Sequence, residues 1–170
     1  MALYKIHNGP APTTAAQAVV TTGTAIKTML QIKASATKPY KIKEWGISFD
    51  GSSADTPIKC ELLETGTVFA TVTAHVEAGI VELDGEALLG GDQTTNLVVV
   101  GTAATGYTAT AEGTITESRV FDAQLIAPTN QYVYQFPLGM EPVAKISGAV
   151  RIRVTAATAV NAYCYAIIEV

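Results

Sequence analysis

One stretch of the chain constrains the fold more than any other, because its residues alternate with a period of two over ten positions. The stretch runs from Tyr40 to Phe49 and ends at the turn sequence Asp50-Gly51-Ser52-Ser53. Successive side chains of a strand point to opposite faces of a sheet, whereas a helix repeats about every 3.6 residues. The pattern therefore predicts a strand. It places Lys41, Lys43, Trp45, Ile47 and Phe49 on one face and Tyr40, Ile42, Glu44, Gly46 and Ser48 on the other.

Similar segments recur along the chain, each bounded by turn residues such as Gly, Pro, Asn and Asp. Residues 58–64 and 68–76 alternate on either side of Gly66, which predicts two strands joined as a hairpin. Further strands are predicted at 96–100, 107–115, 119–127, 132–138, 143–155 and 160–170. Roughly ten strands without an amphipathic helix predict an all-β fold, namely an antiparallel β-sandwich of jelly-roll type or a related β-barrel.

The two ends of the chain differ in pattern. Residues 1–25 are rich in Pro, Ala and Thr and follow neither period, which predicts an extended N-terminal arm. Residues 26–170 are predicted to form a single β-sandwich domain, since a chain of 170 residues fits one domain of ordinary size.

The segment from Glu77 to Gln93 is rich in glycine and acidic residues, and it is predicted to form a long loop. A short helical turn is expected at Glu86 to Leu89. Asp84 and Glu86 could offer oxygen ligands to Ca²⁺, but the spaced carboxylates of a twelve-residue calcium loop are missing, so a solvated loop is favoured.

Composition argues against nucleic acid and membrane as partners. Only 15% of the residues are charged, the net charge is −4, and Lys and Arg form no basic stripe to bind a phosphate backbone. No apolar run approaches the length of a membrane span, and the first ten residues lack the pattern of a signal peptide. We therefore expect a product made in a cytoplasm.

The inventory of catalytic side chains is small. Only His7 and His75 could act as a base near neutral pH, and Cys60 with His75 is the one conceivable thiol dyad. Cys60 alternates with Ile58 and Leu62, which favours a core position, and Cys60 and Cys164 are predicted to be buried free thiols. The spacing of histidines and cysteines matches no zinc site. We expect no enzymatic activity, no cofactor and no metal.

Several blocks of the sequence resemble a known family. The chain from about Thr21 onward is similar to small virion proteins of tailed phages, particularly those of actinobacterial hosts. The blocks that carry the resemblance are Lys43-Glu44-Trp45-Gly46-Ile47-Ser48-Phe49-Asp50-Gly51, Phe121-Asp122-Ala123-Gln124, Arg151-Ile152-Arg153-Val154-Thr155-Ala156 and Asn161-Ala162-Tyr163.

The resemblance implies capsid decoration, also called cementing, with a minor tail protein as the nearest competitor. It implies a homotrimer on the virion head, at three-fold or quasi-three-fold positions, with the major capsid protein as partner. The arm would dock onto the shell through Tyr4, Ile6, His7, Pro10 and Pro12.

The subunit contact is expected among residues that combine a rigid or planar group with polar atoms. Arg151 and Arg153 alternate against apolar residues, which places them on the outer or interface face of a strand. The expected contact residues are Tyr132, Tyr134, Arg151, Arg153, Tyr163 and Tyr165.

A tail or receptor-binding module that recognises host carbohydrate is the alternative, since sugars stack on exposed aromatic rings. Trp45 alternates with Ile47 and Phe49, so it is expected in the core. Tyr107, Tyr132, Tyr134, Tyr163 and Tyr165 are the other candidate platforms.

Overall fold

The computed structural model describes residues 2–83 and 98–170. Within these ranges, strands dominate, and a 3-10 turn at Glu77–Gly79 lies between the sixth and seventh strands. The strands are β1 (Leu3–His7), β2 (Val20–Thr21), β3 (Ile26–Lys33), β4 (Tyr40–Phe49), β5 (Ile58–Glu64), β6 (Thr71–Ala74), β7 (Ile80–Glu82), β8 (Gly106–Ala111), β9 (Arg119–Ile126), β10 (Gln131–Gln135), β11 (Val143–Ala144), β12 (Ala149–Thr155) and β13 (Asn161–Glu169).

The strands form two antiparallel sheets that pack face to face. The first sheet has the order β7-β1-β13-β4-β10, with β2 beside β13 and β11 beside β4. The second has the order β6-β8-β3-β12-β5-β9. One apolar core, to which Trp45 contributes from the first sheet and Ile152 from the second, fills the space between them. The all-β prediction is confirmed, and the form is a sandwich rather than a closed barrel.

The connectivity is that of a jelly roll. Eight strands fall into two four-stranded groups, β1-β13-β4-β10 and β3-β12-β5-β9. Among these eight strands, strands that follow one another along the chain lie in different groups, except β5 and β9, which lie in the same group. This is the connectivity of two Greek-key motifs. Strands β6, β7 and β8 are inserted between β5 and β9, and they extend both sheets on the side of β1 and β3. The opposite side of the sandwich therefore ends at β9 and β10.

The predicted hairpin of residues 58–64 and 68–76 is wrong. Strand β5 pairs with β12 and β9, whereas β6 pairs with β8 at the far edge of the same sheet. Almost every position of β5 is buried, as suits an interior strand that is covered on both faces, whereas Thr71 and Thr73 of β6 are exposed, as suits an edge.

Strand β4 has the bounds that the alternation predicts, and Trp45 is fully buried, as expected. Glu44 pairs with Ile167 and Ile42 pairs with Ile168, so Lys43 is an extra residue in β4. Such a β-bulge shifts the phase of alternation. The predicted faces are therefore wrong at the start of the strand, where Tyr40 and Ile42 are buried with Trp45 and Lys41 is exposed.

The predicted arm at residues 1–25 is wrong in its first part. Leu3–His7 forms β1, which lies between β13 and β7, and Tyr4 and Ile6 are buried in the core. The segment alternates with a period of two, but five residues are too few for that pattern to stand out beside a Pro-rich stretch. Residues 8–19 contain no regular element, and Pro10 and Pro12 are exposed there.

Candidate functional site

The outer face of the first sheet carries a fixed tyrosine. Tyr165 pairs with Gly46 on one side and His7 on the other, and its ring lies so close over Gly46 that a Cβ there would be 2.6 Å from Cε1. The Tyr165 hydroxyl donates to Glu44 Oε1 at 2.5 Å, and Lys5 Nζ lies 4.0 Å from the ring centroid. Burial, together with this hydrogen bond, raises the pKa of Tyr165 to about 12.

A groove runs over this face beside Tyr163, which is partly exposed. The Tyr163 hydroxyl donates to the backbone oxygen of Gln17 at 2.5 Å, which fastens the irregular segment of residues 8–19 to the sheet. The groove encloses about 320 Å³. Its lining combines aromatic rings, amides and aliphatic groups, contributed by Lys5, His7, Gln17, Ile47, Ser48, Gln131, Val133, Tyr163 and Tyr165.

On the open side of the sandwich, one carboxylate joins the two sheets. Asp122 in β9 accepts hydrogen bonds at Oδ2 from Trp45 Nε1 at 3.1 Å and from the Tyr132 hydroxyl at 2.8 Å. Gln124 Nε2 donates to its other oxygen at 2.8 Å. Burial, with the Asp122 hydrogen bond, raises the pKa of Tyr132 to about 12. Sequence reasoning missed this role of Asp122, because alternation with the apolar residues Phe121, Ala123 and Leu125 predicts that its carboxylate lies on the polar face of the strand.

Strand β10, at the edge of the first sheet, brings Tyr132 and Tyr134 together. Their rings are stacked with centroids 6.4 Å apart, and Tyr134 also meets the edge of Phe136 at 4.9 Å. The structure thus places these two predicted contact residues side by side on an open edge, and their role in a subunit contact stays a prediction.

Exposed apolar side chains concentrate on the same side of the molecule, between residues 120 and 146. Two of them, Leu138, at 92% exposed, and Met140, at 71% exposed, lie in the loop after β10. That loop is ordered by Glu141, which accepts from Lys43 Nζ at 2.5 Å and from Gly139 N at 2.8 Å. The Lys43 hydrogen bond lowers the pKa of Glu141 to about 2. The other members of the set are Val120, Leu125, Val133, Tyr134, Val143 and Ile146.

Arg151 cannot form a subunit contact, and that prediction is wrong. Its side chain is fully buried, and its guanidinium donates to the backbone oxygens of Val68 at 2.6 Å and Glu112 at 2.9 Å. The alternation correctly places Arg151 on the outer face of β12, but the insertion between β5 and β9 covers that face. Arg153 remains partly exposed and donates twice to Glu61 Oε2, at 2.9 and 2.8 Å.

The two histidines and Cys60 do not form a reactive group. His75 Nε2 donates to the His7 backbone oxygen at 2.7 Å, and burial lowers the pKa of both histidines. His75 follows β6, and three strands separate β6 from β5, which contains Cys60. Burial raises the pKa of the Cys60 thiol to about 12. Cys60 and Cys164 are buried free thiols, as predicted.

The loop predicted from Glu77 to Gln93 is wrong at its start, where Ile80–Glu82 forms β7 and pairs with β1. The helical turn at Glu86 to Leu89 and the pair Asp84 and Glu86 lie outside the described residues. Within residues 2–83 and 98–170, no three His, Cys, Asp or Glu side chains group together as metal ligands would. The same ranges hold no helix with the length and apolar character needed to cross a membrane.

Comparisons with models of protein families, with curated proteins and with solved structures find no match to this chain.

Proposed function

We propose that this chain is a non-enzymatic structural protein of a tailed phage, a capsid decoration protein that trimerises on the head shell and stabilises it. The resemblance of its sheet segments to small virion proteins supports this proposal, and the jelly-roll sandwich is a rigid scaffold suited to it. The observation that carries it is the concentration of exposed apolar side chains on the side of the ordered loop with Leu138 and Met140, because clustered apolar groups at a surface mark interaction sites.

The proposed mechanism is mass action. A protein that binds the assembled shell and not its dispersed subunits shifts the equilibrium toward the shell. A trimer touches several capsid subunits at once, so modest contacts add up through multivalency. In this proposal the Leu138 loop and the exposed part of the segment 8–19, with Pro10 and Pro12, contact the major capsid protein.

The test measures binding of the purified chain to head shells that lack it. The double substitution Leu138→Ser and Met140→Ser removes two apolar groups, and burying each is worth about 1.5–3 kcal/mol. A loss of about 3 kcal/mol corresponds to roughly 100-fold weaker binding. Val76→Ser, at a position 65% exposed, is the matched control and should bind like the wild type. A double variant that binds shells as tightly as the control would contradict the role of this loop.

A second candidate is a tail or receptor-binding module that recognises host carbohydrate. The groove beside Tyr163 favours it, because an aromatic ring next to the amides of Gln17 and Gln131 is a common setting for a sugar. A glycan array distinguishes the two functions. Saturable glycan binding that Tyr163→Ala abolishes would favour the module, whereas an array without signal, together with shell binding, would favour decoration.

A further inference from the structure

The sequence of the edge strand β10 is a palindrome. Gln131-Tyr132-Val133-Tyr134-Gln135 has the same order in both directions, with Val133 at its centre. If two copies of this strand lie antiparallel about a two-fold axis at Val133, each residue meets its palindromic equivalent. Tyr132 then faces Tyr134 of the second copy, and Gln131 faces Gln135 of the second copy. A two-fold contact requires such a self-complementary surface.

The backbone of β10 is free to accept a neighbour. Phe49 N donates to Asn130 O at 3.2 Å, and Phe136 N donates to Lys43 O at 2.9 Å. Bonded and non-bonded pairs alternate along an antiparallel ladder. The backbone N–H and C=O groups of the even-numbered residues therefore bond β4, and those of the odd-numbered residues of β10 point away from β4. In the described part of the chain, no strand lies on that outer side of β10.

Natural edge strands carry charges, prolines or bulges that prevent pairing with other chains. Strand β10 has none of them, and its register with β4 is unbroken. The strands at the other three ends of the two sheet orders differ: β9 contains Arg119 and Asp122 and a register shift, β6 has a register shift, and β7 contains Glu82. Among these edges, β10 is the one without protection.

The side chains of β10 also suit a second copy. Gln131, Val133 and Gln135 pair with outward-facing residues of β4, so a second copy would extend the outer face with a Val133 pair flanked by amides. Tyr132 and Tyr134 lie on the other side, already stacked. Cross-strand pairs of aromatic residues and of β-branched residues stabilise antiparallel sheets.

We infer that β10 pairs with β10 of a second copy of this chain about a two-fold axis at Val133, which joins the two seven-stranded sheets into one. One five-residue strand from each copy buries less than the roughly 1,200 Å² of a stable complex. The contact is therefore weak between free molecules and strong between molecules held side by side. Its role on the head, which rests on the proposed function, is to link neighbouring trimers across the two-fold axes between them.

Disulfide trapping with the purified chain tests this pairing and its register. Val133→Cys should cross-link to itself, because facing Cα atoms in a bonded antiparallel pair lie about 5.5 Å apart, within the range of a disulfide. Gln131→Cys should cross-link to Gln135→Cys of the second copy. It should not cross-link to itself, since position 131 of the second copy lies about 13 Å away along the strand. Cys60 and Cys164 are buried and should stay silent.

The measurement is the fraction of disulfide dimer at equilibrium in a glutathione buffer, read by mass spectrometry with one variant isotopically labelled. Ile26→Cys is the control, because Ile26 and Val133 are both 52% exposed and Ile26 lies in the interior strand β3. We expect Val133→Cys to exceed this control at least tenfold. Equal yields for the two, or self-linked Gln131→Cys at the yield of the mixed pair, would overturn the inference. No shell is used, so this outcome is independent of the shell-binding test.

Discussion

The carboxylate of Asp122 should be the most sensitive single group on the open side of the sandwich. Strands β9 and β10 end the two sheets there, and Asp122 connects them by accepting from Trp45 Nε1 and the Tyr132 hydroxyl. Asp122→Ala removes the acceptor and leaves the donors in place. Asp122→Asn removes the charge, keeps one oxygen that can accept from Trp45 and Tyr132, and replaces the oxygen that accepts from Gln124 with an amide donor.

The magnitude follows from the burial of the two donors. The Trp45 side chain is fully buried, and a buried donor without a partner costs about 1–3 kcal/mol. Tyr132 is only partly buried, so losing its hydrogen bond should cost about 1 kcal/mol. Asp122→Ala should therefore lower the free energy of unfolding by about 3 kcal/mol, which lowers Tm by about 6–12 °C in a domain of this size. Asp122→Asn should cost about 1 kcal/mol.

Urea unfolding followed by fluorescence provides the assay, because Trp45 is the only tryptophan of the chain and reports on this site directly. Protein concentration must be equal in all samples, since self-association adds to apparent stability. Tyr132→Phe completes a double-mutant cycle, and its cost should shrink when Asp122 is already Ala. An Asp122→Ala variant within about 0.5 kcal/mol of the wild type, the spread of an ordinary surface substitution, would refute the reasoning.

Three further predictions concern stability. Burial lowers the pKa of His75 below its usual 6.5, so at acidic pH the unfolded chain binds more protons than the folded chain. The free energy of unfolding should therefore fall as the pH drops below 6.5. In urea titrations at pH 7 and pH 5, His75→Gln should show a smaller fall than the wild type. The pKa of Tyr165 is raised to about 12, so its contribution to the free energy of unfolding is present below pH 10 and is lost as the pH rises toward 12. A Tyr165→Phe variant that loses as much stability as the wild type over this pH range would contradict this. Arg151→Ala should cost about 3–5 kcal/mol in thermal unfolding, because it removes a fully buried side chain together with its hydrogen bonds to Val68 and Glu112. Arg153→Ala should cost less, about 1 kcal/mol, because its partner Glu61 keeps a second ion pair with Lys59.

The strands could be predicted from sequence wherever alternation was long enough. Tyr40–Phe49 has the predicted bounds, and Arg119–Ile126 ends one residue before the predicted strand. Alternation identifies a strand but not its neighbours, which is why the pairing of β5 was wrong. A single extra residue, Lys43, also reverses the predicted faces at the start of β4, and no local signal marks such a bulge before its partner strand is known.

The candidate site was predictable only in part. The tyrosines of β10 and β13 could be chosen by residue type, and Leu138 and Met140 could have been found as apolar residues inside a turn-rich stretch. The burial of Arg151 could not, because it depends on a chain insertion that covers an otherwise outward face. The palindrome of β10 is visible in the sequence, but its meaning depends on the open edge that the topology creates.

Electron cryomicroscopy of the virus particles that contain this chain tests the central proposal most directly. The account predicts jelly-roll density on the outside of the head, in groups of three at three-fold and quasi-three-fold positions, with Leu138 and Met140 buried against the shell. Density for this chain in the tail, or a head surface without it, would contradict the account.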